Sequence, residues 1–236
     1  KVTGPLSAPA ISGDGILEVT RLRLDDRNAP SFYDIDLATH FADNRLTIER
    51  LHAVVAGGVV DASGSIAFLP GSAPAVNLSL TGREVLVFRT PDLSLRTDAD
   101  IRLAGPWSAA NLSGEIGITN SRFFKNFDLI PQTLPTRNTS VVPTVDQSPQ
   151  GSRRSSQELN FGVDVAPFRD WKSNLRIYTK DPFLVRSNLV ESDLVADLRV
   201  GGTLGRPAPS GFLAIDEGNL SLPFSTVDVE VGRIEV

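Results

Sequence analysis

The sequence predicts an all-β chain, an elongated and curled antiparallel sheet built from repeats, with essentially no helix. Three observations carry that prediction. Stretches 2–19 (VTGPLSAPAISGDGILEV), 101–118 (IRLAGPWSAANLSGEIGI) and 198–215 (LRVGGTLGRPAPSGFLAI) are copies of one pattern, in which Gly4 and Gly13, Gly105 and Gly114, and Gly202 and Gly211 are each nine residues apart. Apolar and polar residues alternate with period two through most of the chain, the mark of a half-buried strand. Turn residues (Gly57-Gly58, Pro70-Gly71, Thr81-Gly82, Gly201-Gly202, Glu217-Gly218-Asn219) punctuate the alternating runs. A supersecondary unit used several times is a scaffold pattern and not that of a compact catalytic fold.

The elements follow in order. In each copy an apolar residue stands two places after the first glycine (Leu6, Trp107, Leu204), and an apolar or proline residue two places before the second (Ile11, Leu112, Pro209). Leu46, Ile48, Leu51 and Val54 fit helix or strand, and we read alternating strands. Val76, Leu78 and Leu80 alternate with Asn77 and Ser79; Ala99, Ile101 and Leu103 alternate with Asp100 and Arg102. Leu159, Phe161, Val163 and Val165 form a further run, and Leu194, Ala196, Leu198 and Val200 alternate with Asp197 and Arg199. Val227, Val229 and Val231 close the series. Residues 1–130 therefore read as a repetitive β-groove segment and 158–236 as its continuation. Between them, 131–157 is a Pro/Ser/Thr-rich insert, too poor in large apolar residues to offset an ordering entropy of roughly 1–2 kcal/mol per residue. Its Arg153-Arg154-Ser155-Ser156 has the look of a basic kinase site, and a solvated linker accounts for it better.

Composition excludes several classes of function. The 236 residues carry a formal net charge of −5, so the chain as a whole has no basic footprint for nucleic acid. Cysteine is absent, which excludes disulfides, zinc–thiolate sites and a thiol nucleophile. With no methionine, signal peptide or apolar run of transmembrane length, the sequence reads as a piece of something longer. His40 and His52 have no partner at metal-ligand spacing, and neither a nucleophile elbow nor a phosphate-binding glycine loop occurs. Asp25-Asp26, Asp34 with Asp36, and Asp98 with Asp100 are carboxylate pairs. The last two, at i and i+2, are expected to share a strand face. A solvated polar face explains all three pairs, so neither enzyme activity nor a cofactor is expected.

An apolar sheet face must be hidden in a barrel, a sandwich or a trough. Trp and Tyr are scarce, and the face is mostly Leu, Ile, Val and Ala, so bulky aromatic plugs are not expected. About a dozen strands at about 4.8 Å each would stretch roughly 60 Å, which suits an open trough. The expected lining is Leu78, Leu80, Leu103, Ile116, Ile118, Leu198, Val200, Leu213 and Ile215.

Asp-Leu-x-Val-Gly-Gly-Thr-Leu-x-x-Pro (Asp197 to Pro207) followed by SGFLAIDEGNL (210–220) resembles the C-terminal region of the TamB family, within the wider AsmA-like group of bacterial envelope proteins. So does DADIRLAGPW (98–107) with LSGEIGI (112–118), and Gly57-Gly58 through Ser63-Gly64-Ser65-Ile66 fits the same style of hairpin. The resemblance covers most of the chain apart from 131–157. It implies a U-shaped, apolar-lined β-taco in a periplasmic protein anchored to the inner membrane by a part outside this sequence. It implies phospholipid acyl chains as cargo, an outer-membrane Omp85-type barrel (TamA-like) as partner, and a role in outer-membrane protein assembly and secretion. It brings no catalytic residues. Two other readings fit the pattern: a structural or adhesive solenoid stalk with a packed interior, and a periplasmic chaperone that binds strands by β-augmentation.

Overall fold

The computed structural model describes residues 2–3, 10–23, 31–69, 71–126, 162–222, 225–229 and 232–236. Alternation becomes strand almost throughout: β1 Val2–Thr3, β2 Ala10–Ile11, β3 Gly13–Leu22, β4 Phe32–Ala42, β5 Arg45–Val55, β6 Gly58–Ala67, β7 Ala75–Arg89, β8 Leu93–Pro106 and β9 Asn111–Phe124. They continue as β10 Lys172–Thr179, β11 Phe183–Arg186, β12 Val190–Thr203, β13 Arg206–Leu222, β14 Ser225–Val229 and β15 Gly232–Glu235. The helical content of the described residues is two 3₁₀ turns, Trp107–Ala109 and Phe168–Asp170. The segment that fits either helix or strand is strand β5.

β1 and β2 pair with each other, and the other thirteen strands form one sheet in the order β14-β13-β12-β10-β9-β8-β7-β6-β5-β4-β3. Eleven strands in that path, at about 4.8 Å spacing, make the sheet about 50 Å wide. From β3 to β9 it is a meander. Asp43-Asn44 and Ala56-Gly57, all at positive φ, make the tight turns into β5 and β6, as two-residue hairpins of a right-twisted sheet require. At the far margin β14 and β15 share the outer edge of β13.

The antiparallel expectation fails at one joint. β9 runs parallel to both β10 (Ile116 opposite Ile177) and β11 (Arg122 opposite Leu184). Two neighbours of the same sense cannot be joined by a hairpin, because the chain must return from the end of one strand to the start of the other. Residues 125–171 make that return. The insert 131–157, with its Arg-Arg-Ser-Ser, lies within it and outside the described residues.

Few side chains are fully enclosed. Among the described residues only eight apolar side chains are buried, far fewer than a filled sandwich of this length would hold. They include one tight cluster of Val76, Ala110 and Trp171, against which Ile66, Leu103, Phe168 and Leu204 pack. Here the expectation of a sheet without aromatic plugs is corrected. Trp171 meets Trp107 and Phe168 edge-on at 5.1 and 5.0 Å between ring centres, Trp107 meets Phe168 at 6.0 Å, and the Trp171 indole N–H donates to the Trp107 carbonyl at 2.7 Å. Edge-to-face pairs of this kind each add about 0.5–1.5 kcal/mol beyond area burial. The cluster sits where β7, β9 and β10 begin and β8 ends, so it closes one end of the strands and leaves the rest of the apolar face uncovered.

Candidate functional site

Cross-strand register lines up apolar residues in rows. Leu198, Ile177, Ile116 and Ala99 face one another across β12, β10, β9 and β8. Val200 stands opposite Leu175, and Ile101, Leu80, Ala62 and Leu51 form the adjoining row across β8, β7, β6 and β5. These rows floor two open recesses. The first, about 790 Å³, takes its lining from eight successive strands, β3 to β10, running from Leu22 through Leu51, Leu80, Ile101 and Ile116 to Ile177, with Thr97 as its one polar side chain. The second, about 740 Å³, is lined by Leu175, Ile177, Leu198, Val200, Leu204 and Leu213 among others. Both recesses open on the apolar face, and Ile177 stands in the walls of both, so the two adjoin there.

Six of the nine predicted lining residues are in these walls: Leu80, Ile116 and Ile118 in the first recess, Leu198, Val200 and Leu213 in the second. Leu103 is instead part of the packing around the aromatic cluster. Leu78 pairs with Leu103 and borders neither recess, and Ile215, half-buried opposite Leu194, lies beyond the second. The sequence reading missed Leu175 and Ile177, although their alternation with Asn174 and Arg176 was a visible signal. It also missed Val85, Leu86 and Val87, three consecutive residues in the wall of one recess. No period-two argument finds those. Register shifts between Gly82 and Val85 and between Leu86 and Phe88, with Glu84 at φ 50°, interrupt the alternation.

The opposite face is ionic. The Arg176 guanidinium donates to both carboxylate oxygens of Asp197 at 3.0 and 2.8 Å and reaches Glu115 at 3.5 Å. That fork holds the Asp197 carboxyl below its usual range and raises the guanidinium's own pKa. Asp98 is the exception in depth, with its side chain 12% exposed. It accepts from Lys180 Nζ at 2.6 Å and from the Glu84 backbone N–H at 2.8 Å, and both bonds keep its carboxyl below the ordinary aspartate value. Asp98 thus ties the β7 bulge to the turn after β10, whereas its neighbour Asp100 is exposed.

The other polar candidates resolve similarly. Asp34 sits at φ 48° with a register shift between Tyr33 and Asp36, so the expected shared face of Asp34 and Asp36 is lost; Asp36 pairs with Arg50. His40 contacts Asp14 at 2.5 Å and His52 contacts Asp61 at 2.7 Å, all on exposed positions. Among the described residues no group of three or more His, Cys, Asp or Glu could hold a metal ion. Asp25-Asp26 lies outside the described residues. No helix of the described residues is long and apolar enough to cross a membrane. What the arrangement offers is solvation: a concave apolar surface on one side and fixed charges on the other.

The family model for the TamB C-terminal domain matches residues 49–236. Neither a curated protein nor a solved structure matches the chain.

Proposed function

The chain belongs to the TamB family through that C-terminal domain, and from this premise we propose that its concave apolar face conducts phospholipid acyl chains across a bacterial envelope. The observation that carries the reading is the pair of open apolar recesses that meet at Ile177 on one face of the sheet. Each is within the roughly 300–1,000 Å³ of small-ligand cavities, and together they offer a passenger two adjoining apolar surfaces. Burial there saves about 0.8 kcal/mol per methylene, while headgroups stay in water beside the track. Contacts among Leu, Ile and Val are non-directional, so no single position holds a moving chain strongly. The reading gives the protein no catalytic step and no cofactor.

Family membership supports the rest of the assignment as a proposal. The protein works in the periplasm, held to the inner membrane by another part of its sequence. An Omp85-type outer-membrane barrel receives it, and outer-membrane protein assembly depends on the same route. The U-shaped taco is the full-length form of the concavity. A packed solenoid stalk is disfavoured by the two open recesses. Strand capture by β-augmentation retains one supporting observation: β3, at the margin of the described sheet, exposes Ile16 at 76% and Leu17 at 51%.

Photo-crosslinkers at Leu80, Ile116 and Leu198 in cells should capture phospholipid, and crosslinkers at Asp100 and Arg199 should not. Equal capture by the two sets would remove the groove assignment. Capture of unfolded barrel protein at Ile16 or Leu17, with no lipid at Ile116, would favour the chaperone.

A further inference from the structure

A third recess, about 530 Å³, opens at the end of the β7–β8 hairpin and differs in kind from the other two. Arg89, Arg96 and Arg122 line it with Ser94 and Asn120, and Asp92 is its one carboxylate. Register explains the convergence. Arg89 stands opposite Ser94, and Ser94 opposite Arg122, so two guanidinium groups from β7 and β9 flank a serine on β8. Arg96 is fixed from the same strand by its donation to the Glu84 carbonyl at 2.9 Å.

None of these three arginines forms an ion pair with a carboxylate among the described residues, in contrast to Arg50, Arg176 and Arg186. Three like charges around one hollow repel each other, and an anion between them removes that repulsion. Guanidinium forks match the oxygen geometry of phosphate. Leu86, which is 7% exposed, is common to the linings of this recess and the first apolar one, while on β8 Ser94 and Arg96 of the hollow alternate with Leu95 and Thr97 of the apolar recess, so the hollow faces the ionic side of the hairpin.

We propose that Arg89, Arg96 and Arg122 form a subsite for a phosphate-type anion, supplied by the headgroup of a phospholipid. The lipid part rests on the function proposed above, while the anion site stands on the arginines alone.

Binding to the purified chain tests both. The probes are dioctanoyl phosphatidylglycerol, dioctanoylglycerol (which lacks the phosphate) and inorganic phosphate, against wild type, R89Q/R122Q, R89K/R122K and the track variant I116D. The expected result is phosphatidylglycerol binding at least about ten-fold weaker in R89Q/R122Q, partly restored in R89K/R122K, with dioctanoylglycerol binding unchanged. I116D should weaken both lipids together. Unchanged phosphatidylglycerol affinity in R89Q/R122Q, in a protein whose far-UV circular dichroism and thermal midpoint match wild type, overturns the subsite and leaves the track. Failure of dioctanoylglycerol to bind wild type, with arginine-dependent phosphatidylglycerol binding retained, overturns the track and leaves the anion site. Inorganic phosphate competing fully while I116D binds phosphatidylglycerol normally overturns the lipid source and identifies a free-anion site.

Discussion

All three copies of the glycine-spaced repeat pair in one register, with Val2 opposite Ile11, Leu103 opposite Leu112 and Val200 opposite Pro209, but the second and third add a close crossing at the second glycine that the described part of the first lacks. Gly114 has φ 135° and Gly211 has φ 136°; a methyl group added there would fall 2.0 Å from the Asp100 carbonyl oxygen and 2.1 Å from that of Asp197. Only glycine fits such a crossing. Gly13, the matching residue of the first copy, lies in β3 without a positive φ, and Gly4 and Leu6 lie outside the described residues. The family match likewise begins at residue 49, after the first copy. Gly64, outside any of the three copies, has the same geometry, with φ 141° and the Asn77 oxygen 2.1 Å away. What recurs is therefore a close strand crossing opposite a large apolar residue (Leu78, Ile101 or Leu198), and a nine-residue spacing by itself does not create one. The apolar residues after the first glycines tell a parallel story: Trp107 and Leu204 both reach the cluster around Trp171.

The comparison can be broken most forcefully at that cluster. Trp171→Ala removes the side chain on which both later copies converge, and it should cost about 3–5 kcal/mol in urea unfolding. A loss below about 1 kcal/mol would mean the copies do not share a core. Next come the crossings: Gly114→Ala and Gly211→Ala should each cost at least about 1–3 kcal/mol, while Gly13→Ala changes stability by less than about 0.5 kcal/mol. Similar losses at all three would erase the distinction between copies.

A smaller effect concerns Asp98, three residues before the second copy. Its carboxyl is held below the ordinary value near 3.9, so it contributes stability above that pH, and this is lost as pH falls through the lower folded-state value. Asp98→Asn should cost about 1–3 kcal/mol at neutral pH and flatten the decline of the denaturation midpoint below about pH 4. The smallest effect belongs to the first copy. The hydrogen bond to Asp14 raises the pKa of exposed His40, so that pair contributes only while the imidazole is protonated and fades as pH rises. An NMR titration of His40 should move toward the ordinary value in Asp14→Asn, with the thermal midpoint unchanged.

Strand content was legible because each strand carries its own signal: Leu78, Leu80, Leu103 and Ile101 alternate with residues that point to water. Faces were legible wherever alternation ran unbroken, which is why Ile116, Leu198 and Val200 sit in the recesses. They were illegible at Val85–Val87 and Asp34, where a positive-φ residue resets the count. The parallel joint and the aromatic cluster were hidden for another reason. Ile116 meets Ile177, and Trp107 meets Trp171, across the 131–157 insert, and local pattern says nothing about pairing over that separation.

Ile177 is the one side chain common to both apolar recesses. Under the proposed function a passenger crossing from one recess to the other would pass this side chain, so its size would bear on both halves of the route at once. Widening it to alanine should speed traffic and narrowing it to phenylalanine should throttle it, with the carrying surface on either side left intact.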